Sequence, residues 1–123
     1  METSESQPMV PRGDSTDPWE ISMCDAKALL HGQSPPLLLD CRTDEEYDAS
    51  HLAGAMLIAL QQVSVRLEEL LPHKDQQIIV YCRTGRRSRI VARYLSTCGF
   101  QHAWSMAGGI DGWNGPVKTT GVS

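Results

Sequence analysis

Four short apolar runs, separated by segments with helical patterns, constrain the fold of this chain more than any other feature. The runs are PPLLLDC (residues 35–41), AGAMLIAL (53–60), QQIIVYC (76–82) and QHAWSM (101–106). Continuous apolar runs of this length are typical of strands that are buried on both faces of a sheet. Strands that alternate with helices predict an α/β domain with a central, mostly parallel sheet and helices on both faces.

The segments between the runs carry helix signals. Ser22 is a predicted N-cap for a helix that ends at Gly32, and Thr43 with Glu46 forms a capping-box pattern for a short acidic helix. Apolar residues at positions 63, 67, 70 and 71 predict an amphipathic helix that Pro72 closes. A further helical stripe follows residue 88 and ends near residue 99, and GGIDGW (108–113) predicts a final turn.

The 123 residues fit one domain. Residues 1–17 are rich in Ser, Thr, Pro, Gly and acids, which predicts a disordered tail before a folded domain over residues 18–123. The tail has neither a basic start nor an apolar core, so we predict no signal peptide, and no stretch has the length of a membrane span.

Four scattered cysteines without a C-x-x-C pair favour a reducing compartment, and the sequence predicts a cytoplasmic protein that does not bind membranes.

The charge distribution favours a small anion over a polymer as the ligand. The net charge is −4, yet five of the eleven basic residues fall between positions 83 and 93: Arg83, Arg86, Arg87, Arg89 and Arg93. One compact basic spot on an acidic protein argues against nucleic-acid binding. The four histidines lack metal-ligand spacing, so the sequence predicts no metal site, and it carries no sign of a cofactor.

The loop YCRTGRRS (residues 81–88) carries the chemistry that the sequence predicts. Cys82 ends a predicted strand just before a helix, which is where parallel α/β sheets bind ligands. Loop amides and the helix N-terminus can lower the pKa of a thiol there, and Gly85 allows the tight curl. The alternative is a solvated, arginine-rich helix start with an incidental cysteine.

Three separated motifs of this chain resemble the rhodanese (thiosulfate sulfurtransferase) family. YCRTGRRS resembles the family's active-site loop. LLLDCRTDEEYDASHLAGAMLI resembles the family's D-x-R … G-H-[IL]-x-G-A segment, except that Ser50 stands where glycine is usual. YLSTCGFQHAWSMAGGIDGW resembles the last segment of the family's pattern, G-[FY] … L-x-G-G-x-x-x-W. The resemblance implies a single-domain, rhodanese-like sulfurtransferase. Cys82 would take a sulfane sulfur from thiosulfate or a similar small anionic donor as a persulfide, and pass it to cyanide, a thiol or a protein partner. The implied anion cradle consists of Arg83, Thr84, Gly85, Arg86, Arg87 and Ser88.

Two other functions are weighed against this one. A cysteine phosphatase or arsenate reductase needs a longer C-x5-R loop with a closing arginine, whereas the sixth residue after Cys82 is Ser88 and Arg89 comes one position too late. A non-catalytic rhodanese-like module for binding or regulation is the other alternative. Such modules usually lose the cysteine that this chain retains.

We expect structural roles for most of the other polar residues. We expect Asp40 and Arg42 to form a local ion pair that braces a loop, and His51 to be packed or hydrogen-bonded structure. The turn at residues 108–109 is expected to let two backbones approach. Cys41 could lie near the active-site loop, whereas Cys24 and Cys98 are expected to be buried in helices with protonated thiols.

Overall fold

A computed structural model describes residues 18–115 and 117–118. A five-stranded sheet forms its centre, in the order β1-β6-β5-β2-β4. Its strands are β1 (Glu20–Ile21), β2 (Leu37–Asp40), β4 (Met56–Leu57), β5 (Ile78–Tyr81) and β6 (Ala103–Met106). Every neighbouring pair in this sheet is parallel. The predicted fold class is confirmed, and each of the four apolar runs contains one of these strands.

The two faces of the sheet are covered by different helices, because side chains alternate along each strand. Ile78 and Val80 of β5 point into one core with Val91 and Leu95 of α3 (Arg86–Thr97). Ile79 and Tyr81 point into the opposite core, where α1 (Met23–Leu30) contributes Ala26. The strands are therefore buried on both faces, as their continuous apolar sequences predict.

The predicted helix caps are present. The Ser22 hydroxyl accepts a hydrogen bond from the Asp25 amide at 3.1 Å and begins α1. Thr43 and Glu46 form the complete capping box at the start of α2 (Asp44–Ala49). Together these contacts satisfy backbone amides that the first turn of a helix leaves without intrahelical partners.

The predicted amphipathic helix over residues 63–71 is wrong. The structure has three separate 3₁₀ turns instead, at Leu60–Gln62, Leu67–Glu69 and Leu71–His73. Val63 and Leu70 are buried as the spacing predicts, but Leu71 is 47% exposed. Hydrogen bonds between residues three apart, such as Leu70 N–H to the Leu67 carbonyl, form these short turns. The turns bury Val63 and Leu70 without a continuous helix.

Two short features were not predicted. β1 contains only two residues, and β3 (His51–Leu52) pairs in antiparallel register with β7 (Val117–Lys118) outside the central sheet. Strands of two residues are too short to show a hydrophobic period.

The predicted disordered tail at residues 1–17 lies outside the described residues. Within the described part of the chain, no helix combines the length and hydropathy that crossing a membrane requires.

Candidate active site

Cys82 lies immediately after β5, where the chain leaves the carboxyl end of the sheet and turns into α3. β5 is flanked by β2 and β6 and is buried along its whole length. Cys82 itself is 1% exposed. The fold therefore places this thiol at the edge of the sheet where ligands bind in parallel α/β proteins, as the sequence predicts.

The sulfur of Cys82 completes the hydrogen bonding of the first turn of α3. Sγ accepts the Gly85 N–H at 3.1 Å and the Ser88 N–H at 3.4 Å. Gly85 is the N-cap of α3, and Ser88 is the third residue inside the helix. Both amides carry the partial positive charge of a helix N-terminus, so they favour a thiolate over a thiol.

A pair of buried serines supports the sulfur from the side. Ser88 Oγ lies 3.5 Å from Cys82 Sγ and 2.6 Å from Ser105 Oγ. Ser88 and Ser105 are both fully buried. Ser105 belongs to β6, so the neighbouring strand fixes the hydroxyl that faces the sulfur. Ser105 was not predicted from the sequence, although a polar residue in the buried strand AWSM, shortly before a double glycine, is a signal that identifies it.

The side chains and amides around the sulfur lower the pKa of Cys82 to about 4. The largest cause is a hydrogen bond with the Cys41 side chain, and the contacts of Ser88 and the Gly85 amide add to it. Burial acts in the opposite direction, because it penalises the charged form. Cys82 is thus a thiolate at neutral pH, as the loop sequence predicts.

Two glycines give the loop its shape. Gly85 has φ +111°, a conformation that L side chains rarely adopt, and this conformation directs its N–H at the sulfur. Gly109 lies against the loop from the other side, and a Cβ added there would lie 2.5 Å from the Cys82 carbonyl oxygen. The amides of Ile110 and Asp111 bind the carbonyls of Cys82 and Arg83 at 2.9 and 3.0 Å. The close backbone approach predicted for residues 108–109 is confirmed.

The arginines of the loop lie in different environments. Arg87 is half-buried, binds both carboxylate oxygens of Glu46 at 2.9 and 3.0 Å, and interacts electrostatically with the sulfurs of Cys82 and Cys41. Arg83 is exposed and lies 3.5 Å from Asp111. Arg86 and Thr84 are exposed at the loop surface. Glu46 therefore has a second role besides capping α2, since it orients Arg87 beside the sulfur.

Asp40 and Arg42 form the predicted brace at the end of β2. Arg42 Nη2 donates to Asp40 Oδ2 at 2.8 Å and to the Ser50 carbonyl at 2.6 Å, and both charged side chains are buried. Tyr81 donates its hydroxyl proton to Asp40 Oδ2 at 2.6 Å and accepts the Leu52 N–H at 2.9 Å. Buried charges of this kind are tolerated when their hydrogen bonds are satisfied, and here they tie β2, β5 and the 50–52 segment together.

The cysteines outside the loop differ from one another. Cys41 is 1% exposed, its N–H donates to the carbonyl of Tyr81, the residue before Cys82, at 3.1 Å, and its side chain lowers the pKa of Cys82, so the expectation that it could lie near the loop is confirmed. Cys24 is exposed, which contradicts its predicted burial, because position 24 lies on the solvent side of α1. Cys98 is half-buried, follows the last residue of α3 and packs against the core.

His51 has the structural role predicted for it. Its ring stacks on Tyr47 with the ring centroids 3.7 Å apart, and Nδ1 lies 2.9 Å from the Tyr47 carbonyl oxygen. Among residues 18–115 and 117–118, no group of three or more His, Cys, Asp or Glu side chains could hold a metal ion. The Cys82 site combines a stabilised thiolate with the Arg87 guanidinium, which Glu46 orients.

Known proteins are similar to this chain in sequence or in fold. Thiosulfate sulfurtransferase GlpE of Tolumonas auensis is 32% identical over 94 residues, which cover 76% of this chain and 85% of that protein. YrkF of Bacillus subtilis (strain 168) is 32% identical over 99 residues, and the chain spans about half (52%) of its length. A crystal structure of a rhodanese-like domain protein from Staphylococcus aureus matches with a TM-score of 0.74 and 27% identity, covering 81% of this chain and 96% of that one.

The family assignment follows from a match that spans most of the folded residues. The profile of the family described as "Rhodanese-like domain" matches residues 22–116, which include β2, the loop that follows Cys82 and the turn at residues 108–109. The chain belongs to the rhodanese-like domain family.

Proposed function

We propose that this protein is a sulfurtransferase that moves a sulfane sulfur from thiosulfate, or a similar small anionic donor, to a thiophilic acceptor through a persulfide on Cys82. The observation that carries the proposal is the pair of amide hydrogen bonds, from Gly85 at 3.1 Å and Ser88 at 3.4 Å, that stabilise the Cys82 thiolate. Relatives that carry the name thiosulfate sulfurtransferase support the same reaction class.

The reaction has two steps. The Cys82 thiolate attacks the outer sulfur of thiosulfate, the sulfur–sulfur bond of thiosulfate breaks, and sulfite leaves with the bonding electron pair. The acceptor, which is cyanide in an assay and a thiol or a protein in the cell, then attacks the outer sulfur of the persulfide. The Cys82 thiolate is regenerated as the leaving group, and cyanide becomes thiocyanate.

The anion cradle (residues 83–88) would bind the donor during the first step. Arg87 is the favoured cation, because its guanidinium already interacts with the Cys82 sulfur and Glu46 holds its orientation. Arg83 and Arg86 are exposed at the rim and would add long-range attraction for an anion. Since Cys82 is 1% exposed, a small donor suits the site better than a bulky one.

The geometry gives less support to phosphatase or arsenate reductase chemistry. Arg89, the arginine nearest in sequence to the closing position of a longer loop, lies 3.7 Å from Glu20, a residue of β1. The sixth residue after Cys82, which is the closing arginine in a longer loop, is Ser88 here, and its Oγ lies 3.5 Å from the sulfur. A loop without a closing cation cannot stabilise the charge of a phosphoryl transition state in that way.

The test is incubation with thiosulfate without an acceptor, followed by intact-protein mass spectrometry and peptide mapping. Directly after loading we expect one added sulfur on Cys82 and its removal by cyanide as thiocyanate, and we expect loss of both results in Cys82→Ser. Cys24→Ser is the matched control, because it removes an exposed thiol and should keep full activity. Full turnover in Cys82→Ser, or Cys82-dependent hydrolysis of an aryl phosphate with no sulfur transfer, would refute the proposal.

A further inference from the structure

Cys41 and Cys82 lie side by side at the carboxyl ends of neighbouring parallel strands. Asp40 of β2 and Tyr81 of β5 are register partners, and each cysteine is the next residue on its strand. The Cys41 N–H donates to the Tyr81 carbonyl at 3.1 Å, so the pairing continues through this position. Both side chains point into the same core, and both residues are 1% exposed.

The backbone of Cys41 is held on both sides. The Asp40–Arg42 brace spans it, with an ion pair of 2.8 Å between the flanking residues. Its own carbonyl accepts the Leu60 N–H at 3.1 Å. Neighbouring strands lie about 4.8 Å apart, which falls in the Cα–Cα range of about 4.4–6.8 Å that disulfides require. A bond between the two sulfurs therefore needs no large movement of the strands.

The two thiols already interact. In the resting protein the interaction between the two side chains raises the pKa of Cys41 and lowers that of Cys82. Cys41 thus keeps its proton while Cys82 is the anion. Cys41 approaches from the neighbouring strand, whereas the amides of Gly85 and Ser88 approach from the loop and the helix.

We propose that Cys41 is a resolving cysteine, which attacks the Cys82 sulfur of the persulfide, expels the outer sulfur as hydrosulfide and leaves a Cys41–Cys82 disulfide. This inference rests on the proposed function, since it starts from the persulfide. The protein would thereby have a second activity, the thiol-dependent reduction of sulfane sulfur to sulfide.

The step balances without an added oxidant. The bond between the Cys82 sulfur and the outer sulfur breaks, and the bond between the two cysteine sulfurs forms. The outer sulfur takes the electron pair and the Cys41 proton and leaves as hydrosulfide, so it is reduced while the two cysteines are oxidised. A small thiol or a dithiol protein then reduces the disulfide and restores the resting pair.

The other cysteines lack this placement. Cys24 is exposed on α1, and Cys98 follows α3 at the end that is remote from the loop. Cys98 contacts Tyr94 instead, and its N–H donates to the Tyr94 carbonyl at 3.2 Å. Cys98→Ser is therefore a matched control for Cys41→Ser, because each removes one thiol from the same core.

The experiment follows the fate of the sulfur after loading. Wild type, Cys41→Ser and Cys98→Ser are incubated with thiosulfate, desalted and kept without any acceptor, and released sulfide and protein mass are measured over time. We expect wild type and Cys98→Ser to lose the added sulfur, release about one sulfide per loaded protein and end with two hydrogens fewer than the reduced protein. Peptide mapping should identify the Cys41–Cys82 disulfide.

Cys41→Ser should keep its persulfide and release sulfide at least about tenfold more slowly, because serine keeps a hydrogen-bond donor but cannot form the disulfide. Equal sulfide release in wild type and Cys41→Ser, with thiocyanate still formed on adding cyanide, would overturn this inference and leave the proposed function intact. Failure of thiosulfate to load any variant would count against the proposed function instead.

A second measurement tests the pair independently of sulfur loading. The thiol oxidant diamide is added to the reduced, sulfur-free protein, and the products are mapped. A Cys41–Cys82 disulfide in wild type and in Cys98→Ser supports the inference. Its absence, while the folded protein remains intact, overturns the inference whether or not thiosulfate is a donor.

Discussion

Replacing Ser88 with alanine should raise the pKa of Cys82 by roughly half to one unit. The change removes a hydroxyl 3.5 Å from the sulfur but keeps the backbone amide of residue 88. A hydrogen bond to a charged group is worth about 1.5–3 kcal/mol at good geometry. At this distance we expect about 1 kcal/mol, and one pKa unit corresponds to about 1.4 kcal/mol.

The assay is the rate of iodoacetamide alkylation of Cys82 as a function of pH, in a Cys24→Ser background that removes the exposed thiol. Wild type should show a midpoint near the pKa of about 4. Because Ser88→Ala destabilises the thiolate, its midpoint should move to higher pH, and its rate should fall below wild type around the midpoints and equal it well above them.

Ser96→Ala is the matched control, since Ser96 belongs to the same helix and is exposed. It should leave the midpoint unchanged. Ser88→Ala also deprives the buried Ser105 hydroxyl of its 2.6 Å partner, so urea unfolding should show a loss of about 1–2 kcal/mol. An unchanged Cys82 midpoint together with that loss of stability would refute the electrostatic reasoning and leave Ser88 a purely structural role.

Two further predictions concern the surroundings of the loop. Arg87→Ala should raise the thiosulfate KM about tenfold with a smaller fall in kcat, because it removes a cation that interacts with Cys82. Arg86→Ala, at the exposed rim, should change KM less, and equal effects of the two substitutions would contradict the assignment of Arg87. Gly109→Ala should lower the free energy of unfolding in urea by about 3 kcal/mol, because its Cβ would lie 2.5 Å from the Cys82 carbonyl oxygen. Gly54→Ala, whose Cβ would have no atom within 4 Å, should lower it by about 1 kcal/mol, and similar losses in the two variants would contradict this account.

The strands and caps were predictable from the sequence because their determinants are local. The first three residues of LLLD and all four of IIVY are apolar, a pattern that is typical of strands buried on both faces. The capping box at Thr43 depends on residues three positions apart. The 3₁₀ turns between residues 60 and 73 were not predictable, because Val63 and Leu70 show helical spacing whether the segment between them is one helix or separate turns.

Within the site, the nucleophile was predictable and its partners were less so. The position of Cys82 follows from a strand, a glycine and a helix that are adjacent in sequence. Ser105 reaches the sulfur through Ser88, and Glu46 reaches Arg87 across 41 positions of sequence. Such contacts depend on strand order, and a single sequence with several possible strand orders does not determine them.

One sulfur atom links the stability of the fold to the proposed chemistry. The Cys82 sulfur accepts amides from the N-cap and the third residue of α3, so it satisfies donors that every helix N-terminus leaves open. In the proposed persulfide the negative charge moves from this sulfur to the outer one, and the amides lose an anionic partner unless the outer sulfur takes that place. The resting thiolate is therefore favoured by the same hydrogen bonds that begin the helix. Return to that thiolate favours delivery of the sulfur to an acceptor, whereas the proposed route through Cys41 restores the thiolate only after the Cys41–Cys82 disulfide is reduced.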